Sequence, residues 1–478
     1  MTSFPRARRL AVPTFLLAAF AFVWSPSLDG SPAQARRKVS LVVTGGTVVT
    51  MDGVRRVVDS GAVAIDGPTI VAVDTVREID ARYTAAERID AGGGIILPGL
   101  VNTHTHAAMV LFRGLADDLA LMDWLQQYIF PGEARTVSPD MVRVGTRLAA
   151  LEMIRSGTTT FADMYYFEEE VARAAREAGL RGVLGQTIIG FPVADAKTPA
   201  EGLARAEAFI KAFREDPLIT PVPAPHAVYT LDEASLRASR ALADRHGVPL
   251  LIHVAETRDE LKTVGEKHGG ATPVAYLRSI GLLGRPLVAA HCVWLDDADI
   301  AAMRESGSAV SHNPESNMKL ASGTAPVPRF LAAGLRVGLG TDGAASNNDL
   351  DMVEAMRQAA LLHKLATGDP RAVPAEAALE MATIGGARAL GLDRRVGSLE
   401  PGKEGDLVVF STSGARQTPL YSPVSHLVYV ARGDDVTTTI VRGKVLMKDR
   451  RVLTLDENRV LADARRLAAE VKAAVVSR

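Results

Sequence analysis

The hydrophobic pattern of the chain has a central region in which short apolar runs alternate with longer amphipathic segments. Each run has the length of a β-strand, and this alternation is typical of parallel strands covered by helices. Eight such runs occur, and eight is the number of strands in a TIM barrel. In chain order they are "GGIILPGLVNTHTH", "TTTFADMYY", "RGVLGQTII", "ITPVPAPHAVYT", "PLLIHVAET", "PLVAAHCVWL", "SAVSHNPESN" and "RVGLGTDGAAS". The pattern therefore predicts an α/β fold, a TIM (β/α)8 barrel over residues 98–397.

The segments between the runs predict helices, several of which begin at an Asp or Ser that can cap a helix. They include Pro139–Ser156, Glu168–Ala178, Asp232–Arg245, Asp296–Glu305 and Leu350–Leu365.

A different pattern flanks the central region at both ends. From Val39 to about Asp90, short β-branched runs are separated by Gly or Asp-Gly turns, which are typical of hairpins. The same pattern returns near the end of the chain in "GDLVVFS", "HLVYVARGDD" and "TTTIVRGKVLM". Two half-sets of strands predict one composite β-sandwich domain, residues 36–97 plus 398–478, with a final amphipathic helix at Asn458–Val476.

The first 35 residues predict a secretory signal peptide. A basic "RARR" precedes the apolar "LAVPTFLLAAFAFVW", and the small-residue site "AQA" follows, which together form the signal pattern. We expect cleavage after Ala35 and an exported protein, periplasmic or secreted. An uncleaved anchor and a mis-called start codon remain alternatives, and the latter would make the protein cytoplasmic. The apolar run is shorter than the about 20 residues of a membrane span, so no span is expected after cleavage.

Composition narrows the class of partner. Lys and Arg number 54 against 55 Asp and Glu, a formal net charge of -1, which gives no attraction to nucleic acid or anionic membrane. We expect a small-molecule substrate; the pattern does not fix the oligomeric state, and a homo-oligomer is one alternative. The lone Cys292 lies in the apolar "LVAAHCVWL", so we expect a buried hydrophobe and no intramolecular disulfide.

Polar residues that can bind metals or transfer protons fall at the carboxyl ends of the predicted strands, where TIM barrels carry their active sites. His104 and His106 are separated by one residue, so they project from the same face of an extended strand. The residues at strand ends are His104, His106, Asp163, His226, His253, His291, His312 and Asp342. The remaining histidines include His246, His268 and His363, which we expect on helix surfaces and loops.

Four of these side chains predict a metal site. Three imidazoles and a carboxylate suit Zn²⁺ or Fe²⁺ and leave positions open for water. His104, His106 and His253 would bind the metal, with Asp342 as the carboxylate.

Other strand-end residues have alternative interpretations. Glu256 follows His253 by three residues and would reach a bound substrate, although a glutamate in such a turn is often a helix cap. His226 and His291 are either functional or core histidines satisfied by backbone carbonyls. Asp163 is expected to be structural or to hydrogen-bond a metal ligand.

Five motifs together resemble the amidohydrolase superfamily, and within it the S-adenosylhomocysteine and methylthioadenosine deaminases with their chlorohydrolase relatives. The motifs are "PGLVNTHTH", "HVAE", "AHCVWL", "SHNPESNMKLASG" and "GLGTDGAASNND", and the likeness extends from about Val39 to Arg450. It implies a metal-dependent barrel with a composite β-sandwich and a divalent metal on the four ligands named above. Binuclear relatives carry a lysine at the end of the fourth strand; here that strand ends "PAPHAVYT", so we expect one metal ion, Zn²⁺ before Fe²⁺.

The resemblance also implies substrate contacts. Glu133 in "FPGEARTVSPD" matches an acidic residue that holds ribose hydroxyls, and His226 matches a substrate-contacting histidine. Trp124 in "LMDWL" would pack against the base or a thioether. Members of the family are mostly cytosolic, and the predicted signal peptide of this chain departs from that pattern. In "GQTIIGFPVADAKT" no basic residue can be assigned to a homocysteine carboxylate, so the choice among S-adenosylhomocysteine, 5-methylthioadenosine and adenosine stays open.

The predicted activity is metal-dependent hydrolytic deamination at C6 of an adenine nucleoside with release of ammonia. Asp342 would accept the water proton, His291 would hold the hydroxide, and Glu256 would donate a proton to N1 of the substrate. Two alternatives remain. One is an amidohydrolase acting on another heterocycle, as a guanine or pterin deaminase or a triazine chlorohydrolase or aminohydrolase. The other is an inactive exported metal-binding protein.

Overall fold

Strands occur in three groups along the chain. The structure, a computed structural model, describes residues 36–284 and 287–476; the predicted leader lies outside them. In chain order the strands are β1 Arg37–Val49, β2 Val57–Asp66, β3 Thr69–Thr75, β4 Tyr83–Asp90, β5 Ile95–Pro98, β6 Leu100–Thr105, β7 Thr158–Tyr165, β8 Arg181–Ile188, β9 Ile219–Pro225, β10 Leu250–Val254, β11 Leu287–His291, β12 Ala309–His312, β13 Arg336–Leu339, β14 Leu407–Phe410, β15 Val436–Val441, β16 Lys444–Lys448 and β17 Arg451–Val452.

Strands from both ends of the chain form one mixed sheet. Its order is β17-β16-β15-β14-β5-β1-β2-β3, with β4 also paired to β1. The short strand β5 joins the two halves, because it is parallel to β1 and antiparallel to β14. The strands from both ends of the chain are therefore joined in one hydrogen-bonded sheet; the sandwich packing and the domain bounds stay predictions. Val43 and Leu407, from opposite ends of the chain, are buried in the same apolar cluster.

The eight central strands form two parallel sheets of four strands each. Their orders are β6-β7-β8-β9 and β10-β11-β12-β13, and each predicted run contains one of these strands. Backbone hydrogen bonds also link the two sheets near their carboxyl ends. The His253 N–H donates to the His226 carbonyl, and the Asp342 N–H donates to the His104 carbonyl, both at 3.0 Å. Both edges of each sheet are thus linked to the other sheet, at β9 with β10 and at β6 with β13, where the predicted site residues lie.

Helices lie between and around the central strands. They are α1 Val76–Arg82, α2 Leu121–Trp124, α3 Phe130–Thr136, α4 Pro139–Ser156, α5 Glu168–Ala178, α6 Pro199–Phe213, α7 Glu233–His246, α8 Arg258–Lys267, α9 Pro273–Ser279, α10 Asp297–Ser306, α11 Pro314–Lys319, α12 Val327–Ala332, α13 Met352–Thr367, α14 Ala375–Met381, α15 Ile384–Ala389, α16 Pro423–Tyr429 and α17 Glu457–Val476. The predicted helices agree with these to within two residues. Ser138 shows why: its hydroxyl accepts from the Met141 N–H at 3.2 Å and caps α4, which ends at the left-handed Gly157.

The helical segment before α4 is held against the end of the chain. Helix α2 continues through a π-helical turn, Leu125–Ile129, into α3. Gly132 in α3 allows α17 to approach closely, because a Cβ there would lie 3.0 Å from Val475. The Arg135 guanidinium donates to the Ala474 carbonyl of α17. None of the helices in the described part of the chain has the length and apolar character that a bilayer crossing requires.

Candidate active site

The four predicted metal ligands converge at the carboxyl ends of three strands. His104 lies in β6, His106 directly after it, His253 in β10, and Asp342 three residues after β13. The Nε2 atoms of His104 and His106 are each 3.3 Å from Asp342 Oδ1. His253 Nε2 is 3.4 Å from His106 Nε2. His104 and Asp342, 238 positions apart in sequence, thus share one centre, because parallel strands end on the same side of their sheets.

Hydrogen bonds at the other ring nitrogen orient two of the imidazoles. His106 Nδ1 is 2.6 Å from the Met164 carbonyl, and His253 Nδ1 is 2.8 Å from the His226 carbonyl. Each Nδ1 therefore donates to a backbone oxygen, and each Nε2 faces the centre with its lone pair, as metal-binding histidines require.

The centre has the chemistry of a cation site. His104 Nε2 is buried and has no hydrogen-bond partner, although buried polar atoms are nearly always satisfied. Ligand atoms lie within 4.8 Å of one another in two overlapping sets, His104 with His106 and Asp342, and His104 with His253 and His291. Nitrogen and carboxylate donors in this number fit Zn²⁺ or Fe²⁺.

Electrostatics at the centre favour an anionic Asp342. Burial raises the pKa of this carboxyl, but its electrostatic interactions with His104 and His106 outweigh burial and hold the pKa well below its usual range. The Ser346 hydroxyl and the Gly343 N–H also donate to it, each at 2.8 Å. Asp342 has a φ of 63°, a strained backbone conformation of the kind found at functional sites.

The two histidines beside Asp342 differ in charge. Burial lowers the pKa of His104 to about 4. Burial also lowers the pKa of His106, but Asp342 and the Met164 carbonyl outweigh it and raise that pKa to about 9. A protonated His106 is thus favoured beside Asp342, and a bound metal cation would take the place of that proton.

Glu256 is held beside the centre by a turn after β10. Its Oε2 is 3.7 Å from His291 Nε2, and the Ser322 hydroxyl donates to its Oε1 at 3.3 Å. Burial raises the pKa of this carboxyl above its ordinary value, which favours a protonated, donating form. The alternative role as a helix cap belongs instead to Thr257, whose hydroxyl accepts from the Glu260 N–H at 3.2 Å.

The turn that carries Glu256 is fixed by a second buried glutamate. Glu260 accepts the N–H of Ala255 through Oε1 and the N–H of Glu256 through Oε2, both at 2.9 Å. Ala255 has a φ of 51°, so this pair of hydrogen bonds stabilises a strained conformation. Glu260 therefore determines where the Glu256 side chain begins.

His291 and His226 both line the pocket instead of being core histidines bonded through their rings to backbone carbonyls. His291 Nδ1 is 2.9 Å from the Asn317 amide oxygen, so Nδ1 donates and Nε2 faces Glu256. His226 Nδ1 lies 3.2 Å from the Thr230 hydroxyl, and its ring centre is 4.8 Å from that of His253.

A pocket opens above the centre and combines apolar and aromatic side chains with a few polar groups, a lining that is typical of small-molecule sites. Glu133 and Trp124, from the helical segment that includes α2 and α3, line it together with Glu256 and His226. The Tyr165 hydroxyl donates to Glu133 at 2.8 Å. Burial raises the pKa of Glu133 to about 7, although that hydrogen bond lowers it. Three of the four predicted ligands, His106, His253 and Asp342, thus border the same pocket as the predicted substrate-contacting residues.

The structure contradicts one expectation about a single residue and distinguishes between two roles expected for another. His363, expected on a helix surface, is buried on α13, and its Nε2 lies 3.1 Å from that of His312 at the end of β12. The expectation was wrong because His363 is on the packed side of its helix. Asp163 accepts the Thr105 hydroxyl and the Ala107 N–H, both at 2.6 Å, and so has the structural role of the two expected, because it orients the segment that carries His104 and His106.

Several site residues were missed because each acts through another residue. They are Tyr165, Glu260, Asn317, Ser322 and Ser346. Asn317 lies in the motif "SHNPESNMKLASG", which is the available sequence signal for it.

Similarity to known proteins agrees with this geometry. The sequence profile of the amidohydrolase family matches residues 95–446. The chain belongs to the amidohydrolase family. A 5-methylthioadenosine/S-adenosylhomocysteine deaminase of Syntrophus aciditrophicus (strain SB) is 49% identical over 434 residues, 91% of this chain and 98% of the relative. A 5'-deoxyadenosine deaminase of Methanosarcina mazei is 45% identical, with 91% and 99% covered. A solved adenosine deaminase of Xanthomonas campestris with bound zinc has a TM-score of 0.90 and 39% identity, covering 91% of this chain and 99% of that one.

Proposed function

We propose that this amidohydrolase removes the C6 amino group of adenine nucleosides as ammonia. The observation that carries the proposal is the placement of Glu256 3.7 Å from His291, in the same pocket as Glu133 and the histidine–aspartate centre. Full-length similarity to deaminases of adenosine derivatives supports it.

Each residue of the pocket has a separate role in the proposed reaction. A divalent cation on His104, His106, His253 and Asp342 would act as a Lewis acid that lowers the pKa of a water molecule toward about 7. Asp342 accepts a proton from that water, and His291 orients the attacking oxygen. Glu256 donates a proton to N1 of the ring, so that C6 becomes electrophilic. The water oxygen then bonds to C6, the C6–N bond to the amino group breaks, and this group takes up the proton held by Asp342 and leaves as ammonia.

Finer features of the protein follow from the same proposal. We propose Zn²⁺ as the metal, supported by the zinc-bound adenosine deaminase. We also propose that the two four-stranded sheets close into one eight-stranded barrel, supported by the hydrogen bonds that link them at His253 and at Asp342.

Export is a separate proposal, supported by the signal pattern of residues 1–35. N-terminal sequencing of the protein from a fractionated native host should give a mature chain that begins near Arg36. An intact Met1 on protein in the cytoplasmic fraction would contradict it.

The activity is tested by measuring ammonia release from a substrate panel by the purified protein after metal analysis. Adenosine, 5'-deoxyadenosine and 5-methylthioadenosine should release ammonia, with guanine, a pterin and a chlorotriazine as comparison compounds. Release of ammonia only from guanine or the pterin, or of chloride from the triazine, would replace the proposed function with the corresponding alternative.

A further inference from the structure

The pocket wall next to Glu133 is apolar and aromatic. Phe130 lies one helical turn before Glu133 in α3, and Ile129 directly precedes it; all three line the pocket. Phe130 packs edge-on against Phe191, in the loop after β8, with ring centres 5.2 Å apart. Tyr166 completes the wall.

The charged side chains beside this wall are carboxylates and an arginine that is already bound by two carboxylates. Glu133 faces the pocket, and Asp195 accepts the N–H of Phe167, the residue after Tyr166, at 2.8 Å, so both carboxylates are near the wall. The neighbouring Arg205 guanidinium is bound by Asp195 at 3.1 Å and by Glu169 at 2.8 and 3.0 Å. Among the described residues that line the pocket, none is a lysine or an arginine.

We infer that this wall, formed by Ile129, Phe130 and Tyr166, receives the 5' substituent of the nucleoside and selects small uncharged groups over an amino-acid tail. The inference rests on the proposed function and on Glu133 as the group that holds the ribose hydroxyls, for which its buried carboxylate in the pocket is suited. The 5' carbon is attached to the same ring, so its substituent lies a few ångströms from Glu133. A methyl or methylthio group gains from burial against the wall. A carboxylate loses hydration there, meets Glu133 and finds no lysine or arginine among the described residues that line the pocket.

The inference is tested with four substrates of the wild-type enzyme: 5'-deoxyadenosine, 5-methylthioadenosine, 5'-butylthioadenosine and S-adenosylhomocysteine. The butylthio group has the length of the homocysteine tail without its charges. We expect kcat/KM for S-adenosylhomocysteine to be at least about tenfold below that for butylthioadenosine, since a charged group that loses its hydration without gaining a partner is unfavourable. Equal values for these two substrates would overturn the inference while leaving the proposed function intact. Failure of all four nucleosides would instead overturn the proposed function itself.

A pair of variants tests the wall directly. Phe130→Lys adds a cation beside Glu133, and Phe130→Met removes the same ring without adding charge. The ratio of kcat/KM for S-adenosylhomocysteine to that for 5-methylthioadenosine should be about tenfold higher in Phe130→Lys than in Phe130→Met. The same ratio in both variants would contradict charge selection at this wall.

Discussion

His291 and His312 end neighbouring strands of one sheet, yet their surroundings differ completely. His291 lines the pocket, 3.7 Å from the Glu256 carboxylate. His312 is fully buried against His363 on α13. Burial lowers the pKa of both partners of this second pair, with His363 at about 4. A histidine at a strand end is thus not sufficient evidence for a functional role; the elements that face its ring decide between reactive pocket and core.

The largest expected difference between the pocket histidines and the buried His312 is in metal binding. Changing His104, His106 or His253 to Ala should reduce bound metal below about one tenth of an equivalent, because one of three or four ligands supplies much of the binding energy. His312→Ala should keep its metal, since His312 belongs to neither ligand set. Metal analysis of the four purified variants makes the comparison, and full occupancy in two of the ligand variants would remove the assignment.

The next effect concerns proton transfer at Glu256. Glu256→Gln keeps the size of the side chain but removes the transferable proton, so kcat should fall by about 10² to 10⁴. Metal content should stay near that of the wild type. The measurement combines ammonia-release kinetics, metal analysis and thermal melting on one preparation. Turnover within about tenfold of wild type would be incompatible with an essential proton donor.

A smaller effect is expected at Glu260, which acts through the Glu256 turn. Glu260→Gln replaces one acceptor by an amide N–H that faces a backbone donor, so kcat should fall by roughly 10- to 100-fold at constant metal content. In a Glu256→Gln background the same change should cost almost nothing, because both residues serve one proton transfer. Equal losses in the two backgrounds would show that Glu260 has only a general structural role.

The smallest effect is on stability and belongs to the His312–His363 pair. Unfolded His363 takes up a proton below about pH 6.5, whereas the folded residue does so only near pH 4. The unfolded state therefore binds more protons between these values, and stability falls as the pH is lowered through this window. At pH 5 the loss should be about 1–2 kcal/mol relative to pH 7, and His363→Leu should reduce it. An unchanged pH dependence in thermal melts of the variant would refute the shift.

The sequence predicts the local features of this molecule well. Helices α4 and α5 begin and end at the predicted residues, because caps and the amphipathic period are encoded within a single segment. Strand-end histidines are likewise found by period and order. Contacts that join distant segments cannot be predicted in this way. Ser322 contacts Glu256 across 66 positions, and Tyr165 contacts Glu133 across 32 positions. The prediction that His363 is exposed was wrong for the same reason, because its contact with His312 depends on how α13 packs against β12.

The central claim is most directly tested by restoring metal to chelator-treated protein while measuring ammonia release from 5-methylthioadenosine. The account predicts no activity without metal, a linear rise on adding Zn²⁺, and a maximum at about one equivalent per chain, as a single centre requires. Activity that persists in metal-free protein, or a maximum at two equivalents, would contradict it.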